Sequence, residues 1–511
     1  MAGYAVSLTN YRRLFSLVAA VAAIIIVILA ASTQARARGI ATLDFIKPLA
    51  QHIKPLLSED DDDFTPGTDD DRAGFAARLA AHDRPLELLR YCNRPSTRHF
   101  DDAANFLVSI NGPEGTVARM QFGSAAYSRY NPNLLPYPAG SKPAYIGFAR
   151  QSPNNVVIHH EIVYCDMDWG ETRAIGRRIL QCVEPANARR LLLPEASSPA
   201  GLCLSHKFLE MKQGHTDPRV LFSPMGEPLM IVGTNGRTNC MGQYVVDLRT
   251  VIPGLSQKMN LMNIPVRYSN LTELRRDDMR EIEKNWVLLY DENNEEYVHH
   301  DMTPRSISKG VNGSNILLLP AQELPECMRS PLKDFSKTKD AVNEYHQATN
   351  SLRVTMCEFP CIPTIHNTVL VSLMHIKYKN VYELFYRRYA MIMNVTAPFE
   401  VIGRTNNLMF AGLDEQTMLY TVSMVWDKSF NVRPEWNDAT GDSSIQANSA
   451  EYAEDYSRKE GYGQSRNKLA DGYYHGWIDD TVMINIGVND CDAAVLHVPM
   501  RDMLDCIVLC E

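Results

Sequence analysis

The stretch His215-Thr-Asp217-Pro218-Arg219 carries the residue types best suited to chemistry in this 511-residue chain. Proline fixes its own φ and removes a donor, so a carboxylate before it can be held in one place as a general acid or base, beside a permanently charged guanidinium. The same letters also write an ordinary Asp-Pro turn with a surface Arg. Further on, Gly233-Thr-Asn-Gly-Arg237-Thr-Asn-Cys-Met-Gly242 could cradle a phosphate through backbone N–H groups and Arg237, or be a plain β-turn. Two DxD triplets, Asp166-Met-Asp168 and Asp490-Cys-Asp492, offer hard oxygen ligands for Mg²⁺ or Mn²⁺, although such carboxylates are also common turn chemistry. His159-His160, His299-His300 and His375 lack metal-ligand spacing and read as core or surface histidines. No metal ligand is therefore assigned and no cofactor is expected, with a divalent ion kept open through the triplets. The chain has no GxSxG elbow, no Walker loop and no GxGxxG after a strand, so serine-hydrolase, P-loop and Rossmann readings lose support.

Short strand-like runs must position these residues. They include Val156–Tyr164, Leu229–Gly233, Tyr244–Leu248, Val287–Tyr290, Ile316–Leu319 and Leu352–Cys357. Val369–His375, Ala390–Val395, Leu419–Trp426, Val482–Val488 and Ala493–Val498 continue the series. All are rich in Val, Ile, Tyr and Met and are bounded by turn residues. Helices are expected at Ala73–Ala81, 271–283 (LTELRRDDMREIE) and 500–510. With no βαβ alternation, a doubly wound sheet is disfavoured, and a β-propeller with diverged blades or a large sandwich is expected. The polar stretch 436–475 reads as a surface insertion.

Composition narrows the classes. Apolar residues make up 45% of the chain, too many for a disordered protein. With 51 basic against 60 acidic residues the net charge is −9. Eight acids lie between Glu59 and Asp71, so the remainder is close to neutral and no nucleic-acid partner is expected. That acidic run reads as a solvated linker rather than a calcium site. Leu14 to Gln34 is free of charge and long enough to cross a bilayer, with Arg12 and Arg13 before it and Arg36 and Arg38 after it. An uncleaved signal anchor is expected, although Ala35-Arg36-Ala37 could be a cleavage site. The expected order is a cytosolic tail at 1–13, a transmembrane anchor at 14–35, an acidic stem at 36–88 and a lumenal catalytic domain at 89–511. Sequons at Asn270, Asn312 and Asn394 and eleven Cys suit a lumenal, oxidising compartment, and the odd count leaves at least one thiol without an internal partner.

A set of phrases in a fixed order goes further. It runs Tyr130-Asn131-Pro132, Tyr145 to Arg150, Asp217-Pro218-Arg219, Gly226-Glu-Pro-Leu, Lys284-Asn285-Trp286, Met302-Thr-Pro304, His346 to Asn350, His366 to Lys377 and Asp479 to Asp490. Spread over about 90–511, this order resembles the fungal β-mannosyltransferases that add β-1,2-linked mannose. It is more distantly similar to the β-mannoside phosphorylases, which are five-bladed β-propellers. The resemblance implies an all-β five-bladed propeller with Asp217 as catalytic carboxylate. It implies that Asn131, Arg150 and Asp490 contact the mannosyl unit, with His375 also among the substrate-binding residues, and that Arg237 and Lys284 face phosphate. Arg219 would add positive charge. Where the phosphorylase pattern has His-Arg-Pro this chain has Met302-Thr303-Pro304, which favours a nucleotide-sugar donor over inorganic phosphate. The expectation is an inverting transferase that moves mannose from GDP-mannose to a cell-wall or glycoprotein mannan acceptor. It would be a single-pass type II protein of the Golgi or another secretory lumen. A phosphorylase or hydrolase, a DxD transferase using Asp166 and Asp168, and a non-catalytic glycan-binding propeller are the alternatives.

Overall fold

Strands dominate because the apolar runs are buried on both faces. Pro228–Thr234 and Gly242–Asp247 are buried at every position, so their central residues, Leu229–Val232 and Tyr244–Val246, form unbroken apolar runs rather than alternating ones. The structure is a computed structural model that describes residues 104–510, apart from 124–127, 153–158, 172–177, 195–200, 212, 311–316, 334–343, 360, 362, 380–383, 414–417 and 428–472. The chain clusters into two units, Met1–Ala76 and Ala77–Glu511, and the described residues belong to the second.

Strands β1 (Ala104–Leu107) and β2 (Ala118–Gln121) precede five antiparallel units. Unit 1 is β3 (Arg129–Pro136), β4 (Tyr145–Gln151), β5 (His159–Glu171) and β6 (Arg178–Arg190). After β7 (Gln213–Gly214), unit 2 is β8 (Thr216–Phe222), β9 (Pro228–Thr234), β10 (Gly242–Asp247) and β11 (Thr272–Leu274). Unit 3 is β12 (Val287–Tyr290), β13 (Glu296–Met302), β14 (Arg305–Lys309) and β15 (Leu317–Leu318). In unit 4, β16 (Glu344–Gln347) and β17 (Leu352–Thr355) both pair with β18 (Thr368–Lys379), followed by β19 (Leu384–Asn394) and β20 (Val401–Thr405). Next, β21 (Asn407–Phe410) pairs with β1.

Unit 5 opens with β22 (Leu419–Trp426). Strand β23 (His475–Trp477) leaves it to pair with β17, and β24 (Thr481–Val488) and β25 (Asp492–Pro499) complete the hairpins. The last strand, β26 (Ile507–Leu509), returns to β20. Strand β2 is the fourth strand of unit 5, with Ala118 opposite Val495, and it also pairs in parallel with β6 of unit 1.

The apolar side chains fall into clusters between neighbouring units. Phe148 and Met230 pack between units 1 and 2, and Leu288 and Met374 pack in a cluster shared by units 2, 3 and 4. Val371 and Ile484 pack between units 4 and 5, and Tyr145 and Met483 between units 5 and 1. The order of packing therefore closes on itself. At that closure the Tyr145 hydroxyl donates to Asp427 Oδ1 at 2.9 Å, and His497 Nδ1 lies 3.1 Å from Asp427 Oδ2.

Polar side chains reach strand edges that no neighbouring strand covers. Asn133 of β3 accepts from Val220 N–H and donates to Pro218 O. Asn350 repeats the device between units 4 and 5, accepting from Met424 N–H at 2.9 Å and donating to Met424 O at 3.0 Å.

The helix expected over 271–283 does not form. Thr272–Leu274 pairs as β11 with β10, and the arginines beyond it are drawn into ion pairs, Arg276 with Glu283 and Asp301 and Arg280 with Asp301. Tertiary pairing overrides the local helical pattern. Of 500–510, only Met500–Met503 is helical, and the segment then turns into β26. No described helix is long and apolar enough to cross a membrane. The expected anchor at 14–35, the stem, the Ala73–Ala81 helix and nearly all of the 436–475 insertion lie outside the described residues. Disulfides join Cys165 to Cys182, Cys203 to Cys240, Cys327 to Cys510 and Cys357 to Cys361, and among the described residues Cys491 is a free, exposed thiol.

Replacing Asn350 with Leu keeps the volume and strands two buried backbone groups, so it is expected to cost about 2–4 kcal/mol in chemical denaturation of the oxidised protein. Asn293→Ala, at an exposed turn, should stay within about 0.5 kcal/mol. A loss below about 1 kcal/mol for Asn350→Leu would remove the inter-unit role given to this amide.

Candidate active site

Two neighbouring edge strands carry the same local device. In β3 the register slips between Tyr130 and Asn133, and in β8 it slips between Thr216 and Arg219. The residues in the two bulges are Asn131-Pro132 and Asp217-Pro218, and the Asx residue has φ 51° in one and 52° in the other. Each Pro lies where the ladder is already broken, so its missing N–H leaves no gap. Left-handed backbone at a non-glycine residue is strained, and Asn and Asp tolerate it best. The bulges aim the two side chains at each other: Asn131 Nδ2 donates to Asp217 Oδ1 at 3.2 Å.

Arg150 completes the group from β4. Its Nη1 donates to the same Asp217 Oδ1 at 2.8 Å, and its guanidinium lies over the Tyr130 ring, 5.1 Å from the centroid. Arg150 Nη2 also lies 3.0 Å from Nε2 of buried His160. The Asp217 side chain is 35% exposed, so a carboxylate held at one oxygen by two donors is placed to take or give a proton at the surface.

Asp490 faces this group from the turn after β24, where Asn489 and Asp490 have φ near 50°. It is exposed, yet crowding by protein raises its pKa above the ordinary carboxyl value, Asp217 raises it further, and Arg150 opposes the rise. Tyr386 and Tyr420 stand close enough for both carboxylates to raise their pKa values, in each case after burial. With His375 these rings form a cluster, with centroids 4.6 Å apart for His375 and Tyr420, 5.3 Å for His375 and Tyr386 and 5.2 Å for the two tyrosines. His375 is fully buried and accepts Thr421 N–H at Nε2. Burial first, then Arg388, His346 and Arg219, push its pKa far down, so the ring is neutral.

Arg219 is only 2% exposed and acts as a tie between units. It donates from Nε to Ala348 O at 2.8 Å, and from Nη2 to Asn285 Oδ1 at 2.8 Å and to the Tyr420 hydroxyl at 3.2 Å. Lys284 is exposed and, with Lys377, lowers the pKa of His346, for which burial is the larger cause.

Asn131, Arg150, Asp217, Asp490 and His375 thus come together, with Arg219 beneath them and Lys284 at the side near His346. Arg237 lies apart from this network. It is exposed on the loop after β9, where its backbone N–H donates to Glu273, so that loop presents this group to a carboxylate. The first DxD triplet is similarly occupied: Asp166 is bound by the Tyr137 hydroxyl and Lys258, and Asp168 accepts Trp169 N–H. Among the described residues no three His, Cys, Asp or Glu side chains are grouped to hold a metal. Met302 is in the core, and Thr303 and Pro304 form an exposed turn. Asn270 is exposed, Asn394 is half-buried at the end of β19, and Asn312 lies outside the described residues. The sequence assigned no role to Tyr386, Tyr420 or Asn285, although Asn285 stood in one of the ordered phrases, and it read His160 as a core or surface histidine. The repeated Asx-Pro pair at 131–132 and 217–218 was the available signal.

No family model matches the chain and no curated protein is similar to it. Among solved structures it is similar to a GDP-Man-dependent mannosyltransferase from Leishmania mexicana, with 9% identity over 75% of this chain and 89% of that one and a TM-score of 0.32. It is similar to a β-1,2-mannobiose phosphorylase from Listeria innocua, with 8% identity over 74% and 91% and a TM-score of 0.35. A third, with 11% identity over 82% and 93% and a TM-score of 0.34, is described as from the GH130 family of mannoside phosphorylases, which contains hydrolases that target β-1,2-mannosidic linkages in Candida mannan. Likenesses at this level leave the function to be argued from the chain's own residues.

A carboxyl with a raised pKa adds stability at low pH that is lost as pH rises through the folded-state value. Asp490→Asn removes the charge, so the variant should melt at or above the wild-type temperature at pH 7, and any gain should vanish below about pH 4. A lower melting temperature at pH 7 would show that the Asp490 charge is stabilising instead.

Proposed function

We propose that this chain is an inverting mannosyltransferase built on a five-bladed β-propeller, with Asp217 as its base. The observation that carries the reading is the convergence of Asn131 and Arg150 on Asp217 Oδ1, with Asp490 and the Tyr386, Tyr420 and His375 rings alongside. Carboxylates and a guanidinium suit sugar hydroxyls, and aromatic rings suit the apolar face of a pyranose. The five antiparallel units support the propeller reading: β2 completes the last, and in unit 4 β16 and β17 share one edge of β18.

In the proposed reaction Asp217 takes the proton of an acceptor hydroxyl as that oxygen attacks the anomeric carbon of GDP-α-mannose. The bond to the diphosphate breaks on the opposite face, and GDP leaves with the charge. Lys284 and Lys377 supply positive charge for the departing diphosphate, a role supported by their place beside His346. Arg219 holds Tyr420 and Asn285 in position. The order of sequence phrases supports a β-1,2 linkage to a mannan acceptor. A type II anchor at 14–35 and a Golgi or other secretory lumen belong to the same proposal.

Labelled GDP-mannose with β-mannoside and mannan acceptors is expected to give a β-linked product, and Asp217→Asn is expected to lower transfer about 10²–10⁴-fold. No transfer from any GDP-mannose and acceptor pair, or full activity in Asp217→Asn, would overturn the proposal. Phosphate-dependent cleavage of β-mannosides without nucleotide would assign a phosphorylase instead.

A further inference from the structure

Gly487 lies in β24 opposite Tyr420 of β22, and its backbone comes up against Asn131 of β3. A Cβ built on Gly487 would stand 2.7 Å from Asn131 Oδ1, 3.3 Å from Asn131 N and 3.6 Å from Asn131 Cα. The first separation is below any tolerated contact. Gly487 is not among the glycines with positive φ, so its backbone is one that alanine could adopt. Space, and not conformational freedom, is the reason for glycine at this position.

Asn131 has little room to yield. It is 7% exposed, its backbone is in the left-handed region, and Pro132 follows it in the bulge. Its amide has two faces: Oδ1 lies against Gly487 and Nδ2 donates to Asp217 Oδ1. Rotating the amide by half a turn would put the amino group against Gly487 and an oxygen against the Asp217 carboxylate, which repels it.

We propose that Gly487 is a positioning residue for Asp217, acting through Asn131: the missing side chain lets the Asn131 amide sit where its Nδ2 reaches the carboxylate. A methyl group at 487 pushes Asn131 away and removes the Asn131 donor at Asp217 Oδ1. This rests on the proposed base role of Asp217 only for its consequence in catalysis, and its geometry can be tested without substrate.

The first test is a crystal structure of Gly487→Ala. The Asn131 Nδ2 to Asp217 Oδ1 separation is expected to open beyond hydrogen-bond reach, and its retention near the wild-type distance overturns the inference. If Gly487→Ala does not fold, Asn131→Gly in the same chain restores the space and should restore folding. Failure of that pair to fold places the role of Gly487 elsewhere and overturns the inference.

Kinetics supply the second test, with GDP-mannose and the best acceptor. Gly487→Ala and Asn131→Ala should each lower kcat about 10–100-fold. Each should also move the acid limb of the pH–rate profile to higher pH, because a carboxylate that loses a donor holds its proton more tightly. The double variant Asn131→Ala/Gly487→Ala should be no slower than Asn131→Ala alone. Multiplying losses overturn the inference. An opened separation in the crystal, with no transfer from GDP-mannose by the wild type, leaves the positioning role standing and sinks the proposed reaction.

Discussion

An edge strand leaves a row of backbone donors and acceptors without a ladder partner, and this chain meets that constraint with side chains from the next unit. Asn133 saturates Val220 N–H and Pro218 O, and Asn350 does the same for Met424. Within unit 4, in the gap between β16 and β17, Thr349 accepts Leu373 N–H. Arg219 extends the principle, because its guanidinium joins β8 to Ala348, Asn285 and Tyr420 at once. A buried donor or acceptor left alone is expensive, so these residues fix how the units meet, beside the apolar clusters.

The same edges are where chemistry becomes available. Strands β3 and β8, each with a ladder neighbour on one side, bulge at an Asx-Pro pair. At each bulge the Asx side chain is turned toward its counterpart on the other strand. Asp217, Asn131 and Arg150 meet there because three elements of two units were already held in register by Asn133. Structure and site therefore draw on one set of contacts, and the strain at φ near 50° is held in place by them.

Much of the strand pattern was legible, since Val287–Tyr290 and Leu419–Trp426 form strands with the expected ends. Doubly buried strands are continuous apolar runs, which are easy to find and hard to orient. The segment 271–283 misled because its spacing suits a helix, while the decisive contacts come from Asp301 and from β10. Asp217, Asn131 and Arg150 stood out by residue type and by phrase order. Tyr386 and Tyr420 did not, because a tyrosine in an apolar strand looks like core until its neighbours from other strands are known. Arg237 looked like an anion ligand for the same reason: the partner that occupies its loop, Glu273, lies 36 residues away.

Strand β2 has a consequence for how the chain is made. Ala118 pairs with Val495, a separation of roughly 380 residues. At a synthesis rate of about 5–20 residues per second, β2 waits on the order of 20–75 s before its antiparallel partner exists. Its parallel partner β6 emerges within seconds and offers a temporary seat. The last unit is then completed by a strand that left the ribosome before any other strand of the five units.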